Sequence, residues 1–352
     1  MKIREEITSL TIYTGSNGKK GCVCKCDGCS QEEYGRQHPL YQGSIQQIYD
    51  VLYVMPNLKR AIILGNPDPI VDVRYCNQIS KILTERNVNV RYSTCGYKAL
   101  KFVQEISHGI DTEKIDYISF SIDTIDEVKL CRMKGQKISL EEIKEAILWC
   151  HANQIRTKIQ PTLWTTNYSD YKEIMEYFME VGNDWFSFHA GSFETLPRNT
   201  EEEHVDPWKW VELREQLGDY CISNQLSLHM PLLFLDDDEF QTYCEARGKR
   251  CTPELLRNTQ IWLEDGYIRT THCPLLNAVY PFQYNLYDDQ DRRFNIHVPQ
   301  NAYCPIAPDC LGMKLKMKSV EKRGHVFEKE GKKRLHSVCR QHNYRVNLPS
   351  NL

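Results

Sequence analysis

Along the first two thirds of the chain, the pattern of hydrophobic and polar positions switches repeatedly between a period typical of strands and a period typical of helices. Runs that are apolar throughout or at every second position predict strands, and stretches with apolar residues every three to four positions predict helices. The strand candidates lie at 9–15, 60–69, 88–96, 115–123, 156–163, 184–191 and 226–235. The helix candidates lie at 45–56, 76–87, 97–107, 139–153, 169–182 and 206–224.

About six strand–helix units in this order predict a parallel sheet that curls into all or most of a (β/α) barrel. The predicted fold class is therefore α/β, with a partial (β/α)6-type barrel. Two helix starts carry capping signals, Ser139 at one and Asp206 followed by Pro207 at the other. In a barrel of this kind, we expect functional residues at the C-terminal ends of the strands.

The pattern changes near residues 236–245, where the acidic stretch LDDDEF is followed by a Pro- and Tyr-rich region without helical periodicity. This region also holds six of the fifteen cysteines: Cys244, Cys251, Cys273, Cys304, Cys310 and Cys339. We therefore predict two domains, a barrel over residues 1–238 and a cysteine-rich module over residues 239–352.

Composition excludes several classes of partner. The net charge of −3 creates no field that would attract nucleic acid or anionic lipid, so we expect neither partner. The N-terminus lacks the apolar run of a signal peptide, and no stretch reaches the ~18 apolar residues of a membrane span. We expect a cytoplasmic protein, in which thiols stay reduced and many cysteines indicate metal ligands.

Four of the cysteines fall in the eight residues CVCKCDGC, at 22–29. Cys22, Cys26 and Cys29 form C-x3-C-x2-C in a glycine-containing loop directly after the first strand. Three thiolates on one loop can hold three irons of a 4Fe-4S cluster and leave the fourth iron open for chemistry. The alternative is a zinc site that uses Cys22 or Cys24 together with Cys26 and Cys29.

Three further motifs lie at the ends of the next three strands: LGNPDP at 64–69, YSTCGY at 92–97 and SFSIDTIDEVKLCRMKG at 119–135. Together with the cysteine loop, they resemble the radical SAM superfamily, over most of residues 8–235. In that family the open iron binds S-adenosylmethionine, and the reduced cluster cleaves it to a 5'-deoxyadenosyl radical that abstracts hydrogen from a substrate. The resemblance implies a radical SAM enzyme with a 4Fe-4S cluster and S-adenosylmethionine as cofactors.

The resemblance also implies roles for individual residues. Cys22, Cys26 and Cys29 would ligate the cluster, and Cys24 would be a small side chain that does not. The implied S-adenosylmethionine-binding residues are Gly65, Asn66, Pro67, Ser93, Thr94, Ser121, Asp123 and Arg132. The chain departs from the family at Asn66, where a Glu is usual, and at Cys95, where an Asn is usual.

Two residues are candidates for catalysis. His189, at the end of the sixth strand, would contribute to substrate binding or proton transfer, although a histidine satisfied within the core is the alternative. Some epimerases of the superfamily return a hydrogen atom to the product radical from a cysteine thiol, and Cys244 is our candidate for that role. Cys221, within a predicted helix, is more simply explained as a small hydrophobic residue.

The C-terminal cysteines resemble the SPASM and twitch modules of radical SAM enzymes, which bind auxiliary clusters. Cys251 and Cys273 flank a hairpin signal whose turn is Asp265-Gly266. Cys304 and Cys310 would complete the ligands of one auxiliary 4Fe-4S cluster. A zinc site is the alternative.

The resemblance leaves the substrate open between sugars or aminocyclitols and ribosomal peptides, with epimerisation, oxidation, dehydration or crosslinking as the outcome. Because the cysteine motif starts at Cys22, we expect no N-terminal leader-peptide-binding domain, which favours a small polar natural product. A reductant such as flavodoxin or ferredoxin would be the electron-transfer partner. The hypothesis of another class is a zinc-stabilised binding protein without S-adenosylmethionine chemistry.

Overall fold

The computed structural model describes residues 8–14, 22–26, 44–65, 68–190 and 206–231, and short strands between 258 and 346. The strands of the first part are β1 Ser9–Thr14, β2 Arg60–Gly65, β3 Asn89–Thr94, β4 Ile115–Phe120, β5 Thr157–Ile159, β6 Thr162–Leu163, β7 Trp185–Ser187, β8 His189–Ala190 and β9 Ser227–Pro231. The helices are α1 Ile45–Val54, α2 Val73–Glu85, α3 Ala99–Ile106, α4 Glu127–Lys134, α5 Leu140–Ala152, α6 Tyr171–Glu180 and α7 Pro207–Ser223. Six strands follow: β10 Asn258–Trp262, β11 Tyr267–Arg269, β12 Gln283–Asn285, β13 Val326–Lys329, β14 Lys332–Leu335 and β15 Asn343–Val346.

The main sheet has the strand order β12-β11-β10-β1-β2-β3-β4-β5-β7-β9-β15, and every neighbouring pair from β10 to β9 is parallel. Helices connect the successive strands β1 to β5, as the alternating pattern predicts. The α/β half-barrel predicted from the sequence is therefore confirmed.

The two faces of the sheet differ in what they contact, and β3 shows this most clearly. Tyr92 is fully buried, packs edge-to-face on Phe102 of α3 with ring centroids 6.1 Å apart, and donates to Ser80 Oγ of α2 at 2.6 Å. Because side chains alternate along a strand, Arg91 and Ser93 lie on the opposite face. We call that face, opposite to the one from which Tyr92 contacts α2 and α3, the inner face of the half-barrel.

The structure differs from the predicted elements in the division of two strands and in one additional helix. The strands predicted at 156–163 and 184–191 are each divided, into β5 and β6 and into β7 and β8, and β6 pairs with β8 in a small separate sheet. The helix α4 was not predicted at all. It has eight residues, and only Leu130 and Met133 are buried apolar residues, so its apolar periodicity is too weak to stand out.

The predicted caps are confirmed. Ser139 accepts a hydrogen bond from Glu142 N at the start of α5, and Asp206 accepts from Trp208 N and Lys209 N at the start of α7. α2 begins three residues earlier than predicted, at Val73, because Asp72 accepts from Tyr75 N and caps the helix there.

Two strands of the C-terminal region join the half-barrel sheet directly. β10 pairs in parallel with β1, and it also pairs with β11 in the antiparallel manner that the hairpin signal predicts. At the other edge β15 pairs antiparallel with β9. The boundary at 236–245 lies outside the described residues, so the division into 1–238 and 239–352 stays a prediction. Among the helices that are described, none has the length and hydropathy to span a membrane.

Candidate cofactor site

The loop that follows β1 carries the cysteine motif, and the structure describes its residues 22–26, which we call the cluster loop. Cys22 is exposed, Cys26 is half-buried and Cys24 is buried. Within the described ranges no three metal-binding side chains are grouped together, and the third predicted ligand, Cys29, lies outside those ranges.

Cys24 has a partner away from the loop. Its thiol lies 3.1 Å from the thiol of Cys95, which directly follows β3, and both residues are buried. The pKa of Cys26 is lowered, first by a hydrogen bond from Cys24 and also by the positive charge of Lys134, although burial opposes this. A lowered thiol pKa favours the thiolate, which is the form that binds metal.

Asp68, just after β2, ties three strand ends together. One carboxylate oxygen accepts from Thr94 Oγ1 at 3.0 Å and from Ile70 N at 3.1 Å, and the other accepts from Cys95 N at 2.6 Å. Its own backbone N–H donates to Cys22 Sγ at 3.5 Å. Burial raises the pKa of Asp68, while the hydrogen bonds from Cys95, Ile70 and Thr94 oppose the rise.

A buried ion pair lies at the end of β4. Lys134 Nζ is 2.7 Å from Asp123 Oδ2 and donates to Ser121 Oγ at 3.0 Å. The two charged side chains are only 5% and 7% exposed. Burial is the largest single cause and would lower the pKa of Lys134, but the carboxylate of Asp123 together with Cys26 and Cys95 outweighs it, and the pKa is raised. Lys134 therefore stays charged at neutral pH.

The C-terminal end of α4 holds the cluster loop in place. Lys25 N donates to Lys134 O at 2.9 Å, and Gln136 Nε2 donates to Val23 O at 3.2 Å. Gly135 ends the helix with φ +58, and a Cβ at this position would lie 2.8 Å from Lys25 O. Only glycine satisfies both the left-handed backbone and the close approach of the loop.

Asn167 orients the other side of Asp123. The side chain of Asn167 is fully buried and donates from Nδ2 to Asp123 O at 2.8 Å and to Thr162 O at 2.9 Å. Asp123 Oδ1 in turn accepts from Thr162 N at 2.7 Å. The carboxylate of Asp123 is thus fixed by Lys134 on one oxygen and by the β5–β6 segment on the other.

The predicted cofactor-binding residues fall into different environments. Ser121 and Asp123 meet at Lys134, whereas Thr94 uses its hydroxyl to hold Asp68. Ser93 lies on the inner face beside Ser119. Arg132 is exposed, because it lies two residues before Lys134 on α4 and residues two apart on a helix point to different sides.

Gly65 is the last residue of β2, and its backbone pairs with Thr14 of β1. The other predicted residues at this strand end, and all the C-terminal candidates, lie outside the described residues: Asn66, Pro67, Cys244, Cys251, Cys273, Cys304 and Cys310. Their assignments stay predictions.

His189 belongs to a hydrogen-bonded group that three strands bring together. Its Nε2 lies 3.4 Å from Ser187 Oγ, which is 3.0 Å from His229 Nδ1. Ser187 and His229 are register partners on β7 and β9. Cys221 is fully buried in the core, in agreement with its interpretation as a small hydrophobic residue.

Sequence reasoning missed Lys134, Asp68 and Asn167. Asp68 carried a usable signal, since an Asp directly before a Pro can cap a helical turn, and it caps the turn Pro69–Asp72. Lys134 and Asn167 carried none, because their roles depend on contacts with Asp123, which lies 11 positions before Lys134 and 44 positions before Asn167.

A match to a known family agrees with this geometry. Residues 17–178 match the radical SAM superfamily. The matched range contains the cluster loop, Asp68, the Asp123–Lys134 pair and Asn167. No curated protein matches the chain in sequence.

Solved structures with a similar fold include two of SuiB from Streptococcus suis. SuiB bound to S-adenosylmethionine aligns with 17% identity and a TM-score of 0.55, over 82% of this chain and 65% of that chain. SuiB bound to its precursor peptide SuiA aligns with 15% identity and a TM-score of 0.54, over 86% and 66%. This chain therefore spans slightly less than two thirds of the SuiB chain.

A third similar structure is anSMEcpe with bound AdoMet and the Cp18Cys peptide. It aligns with 12% identity and a TM-score of 0.55, over 84% of this chain and 81% of that chain. At these identities the likeness concerns the fold.

The residues at the site fit a cluster and S-adenosylmethionine. Cys22 and Cys26 supply thiols on a loop that α4 fixes from outside. The buried Lys134 and Asp123 place a cation and an anion at the same strand end, where they can meet the carboxylate and the polar groups of an amino-acid-like cofactor.

Proposed function

We propose that this chain is a radical SAM enzyme that acts on a peptide substrate. The observation that carries the proposal is the cluster loop held by the end of α4 beside the buried Asp123–Lys134 pair, at the C-terminal ends of a parallel half-barrel. The family match over residues 17–178 supports it.

Cys22, Cys26 and Cys29 would hold a 4Fe-4S cluster, whose chemistry when bound would be one-electron reductive cleavage of S-adenosylmethionine. The chain's own part is to bind and orient. The cluster loop is held at two points. Asp68 N donates to Cys22 Sγ, and Lys134 O at the end of α4 accepts from Lys25 N. Lys134 would bind the cofactor's carboxylate. Ser121 and Asp123 fix the position of the Lys134 ammonium group.

A peptide substrate is supported by the ligands named for the similar structures, a precursor peptide for SuiB and the Cp18Cys peptide for anSMEcpe. This proposal replaces the preference for a small polar natural product that the position of the cysteine motif suggested. A reductant such as flavodoxin or ferredoxin would supply the electron.

The test is reductive cleavage of S-adenosylmethionine by anaerobically purified, reconstituted protein, measured as 5'-deoxyadenosine. Cys26→Ala should abolish product and lower cluster iron, because it removes a ligand. Cys24→Ala is the matched control on the same loop, and it should retain both. Full activity in Cys26→Ala, or lost activity in Cys24→Ala with iron intact, contradicts the assignment. Zinc in place of iron in the purified protein would favour a binding protein instead.

We also propose one auxiliary 4Fe-4S cluster on Cys251, Cys273, Cys304 and Cys310. The hairpin of β10 and β11, between the first two cysteines, supports the proposal, because a two-stranded hairpin brings its flanking residues together. A Cys22, Cys26 and Cys29 triple alanine variant should retain about four irons, and adding Cys273→Ala should remove them. A triple variant without iron contradicts this part.

A further inference from the structure

The inner face of the half-barrel carries a row of aligned side chains across four strands. The strand registers pair Ser93 with Ser119, Ser119 with Lys158, and Lys158 with Trp185. Lys158 is the only charged member of this row. Ser119 of this row lies two residues before Ser121, so the row is nearer to the N-terminal ends of the strands than the cofactor site. The Ser121 hydroxyl accepts from Lys134 in that site.

The ammonium group of Lys158 contacts neutral partners. Nζ donates to Gln160 Oε1 at 2.6 Å and lies 4.9 Å from the centre of the Tyr117 ring. Gln160 Oε1 is also 3.4 Å from Ser119 Oγ, so the amide is shared between neighbouring strands. An ammonium has three donors, and in the part of the chain that the structure describes Gln160 Oε1 accepts from one of them.

Among the described residues, the charges around Lys158 do not compensate its own positive charge. Arg91, on β3, stands 5.0 Å from the same Tyr117 ring, but Arg91 Nε is paired with Asp116 Oδ2 at 2.8 Å. Across the described residues, no carboxylate lies within ion-pair distance of Lys158. Burial, with the positive charge of Arg91 as the lesser cause, lowers the pKa of Lys158 to about 7. Any anion that reaches a half-buried lysine of this kind stabilises the charged form of the lysine.

We propose that Lys158 binds a carboxylate of the substrate on the inner face of the half-barrel. The inference rests on the proposed function, and it names the chemical group that the substrate presents there: an acidic side chain or a C-terminal carboxylate of a peptide. A single uncompensated positive charge matches a monocarboxylate. Gln160 keeps the ammonium in place and leaves its other donors for the carboxylate oxygens.

The experiment uses the reconstituted protein with lysines labelled at 13Cε, and the probes are acetate and its uncharged isostere acetamide. The Lys158 signal is identified by its loss in Lys158→Arg. Acetate should raise the midpoint of its titration saturably, by about one pH unit, since one unit corresponds to a tenfold preference for the charged form. Acetamide carries no charge and should leave the midpoint unchanged.

A matched variant supplies the missing carboxylate from within. Gln160→Glu places a carboxylate oxygen where the amide oxygen lies 2.6 Å from Lys158 Nζ. It should raise the titration midpoint of Lys158 without any probe and abolish the response to acetate. The inference is overturned if acetate and acetamide act alike, if acetate has no effect, or if Gln160→Glu still responds.

Cleavage of S-adenosylmethionine by the unmodified protein separates this inference from the proposed function. A protein that cleaves S-adenosylmethionine but shows no acetate response at Lys158 contradicts only the carboxylate site. A protein that shows the response but does not cleave S-adenosylmethionine contradicts only the proposed function.

Discussion

The two ends of the half-barrel sheet each bury a carboxylate on β4 or just after it, and they use it differently. At the N-terminal end, Asp116 accepts from Asn89 Nδ2 and Arg91 Nε of β3, both at 2.8 Å. At the C-terminal end, Asp123 pairs with Lys134 of α4 at 2.7 Å and accepts from Thr162 N at 2.7 Å.

The partners explain the difference. Asp116 is bound by side chains of the strand next to it, so its contacts reinforce the register of β3 and β4. Asp123 is bound by a helix whose last carbonyl, that of Lys134, holds Lys25 of the cluster loop. In parallel barrels, the N-terminal end serves stability and the C-terminal end serves chemistry. Here the same residue type serves both purposes because its partners come from strands in one case and from loop-holding segments in the other.

Removing the cation that pairs with the carboxylate at each end should give the largest difference in the free energy of unfolding between the two ends. Lys134→Met leaves Asp123 buried without its ion-pair partner and should lower the free energy of unfolding by about 3–5 kcal/mol. Arg91→Met leaves Asp116 with Asn89 and with Arg60, whose Nε lies 3.9 Å from Asp116 Oδ2, and should lower the free energy of unfolding by about 1–2 kcal/mol. Urea unfolding under anaerobic conditions measures both. Equal losses at the two ends would contradict the distinction.

Adding one methyl group to a glycine at each end tests the difference between the two ends further. Gly135→Ala combines a left-handed backbone with a Cβ 2.8 Å from Lys25 O, and should cost about 2–4 kcal/mol and reduce cluster iron. Gly182→Ala, before β7, has φ +92 but its Cβ meets only His151 at 3.4 Å, and should cost about 1–2 kcal/mol. Iron content should fall in the first variant alone; a similar fall in Gly182→Ala would mean that iron loss reports stability.

Lys158 lies between the two ends and should make stability depend on pH. Its pKa in the folded protein is about 7, below the ordinary value of a lysine, so the unfolded chain binds more protons between pH 7 and the ordinary value. Stability of the unmodified protein therefore rises with pH across that window. Lys158→Met should be more stable than the unmodified protein at pH 6, and that difference should shrink by about 4 kcal/mol towards pH 10, since the folded-state pKa lies about 3.5 units below the ordinary value.

Helix caps offer the smallest effect. Asp126 accepts from Val128 N and Lys129 N at the start of α4, and Asp206 caps α7 through the corresponding two N–H groups. Asp126→Ala and Asp206→Ala should each cost about 1 kcal/mol. Only Asp126→Ala should also weaken iron retention, because α4 holds the cluster loop. Equal iron retention in both variants would show that the loop does not depend on α4.

Much of the fold could be predicted because it is encoded locally. The periods of two and of three to four residues predicted the order of strands and helices, and Ser139 and Asp206 predicted two helix starts. The spacing of Cys22, Cys26 and Cys29 also indicates a metal-binding loop after β1, which stays a prediction. Each of these signals lies within a few residues of the feature that it predicts.

The chain sequence by itself thus determined the parallel α/β order, the capped helix starts and the cysteine loop. Only the tertiary structure decided that Lys134 and not Arg132 meets Asp123, that Cys24 contacts Cys95, and that β10 pairs with β1. The physical reason is that local signals report backbone preference and burial, whereas these contacts join residues that are distant in sequence. On a helix as short as α4, the side that faces the site is chosen by the partner's charge, which periodicity does not encode.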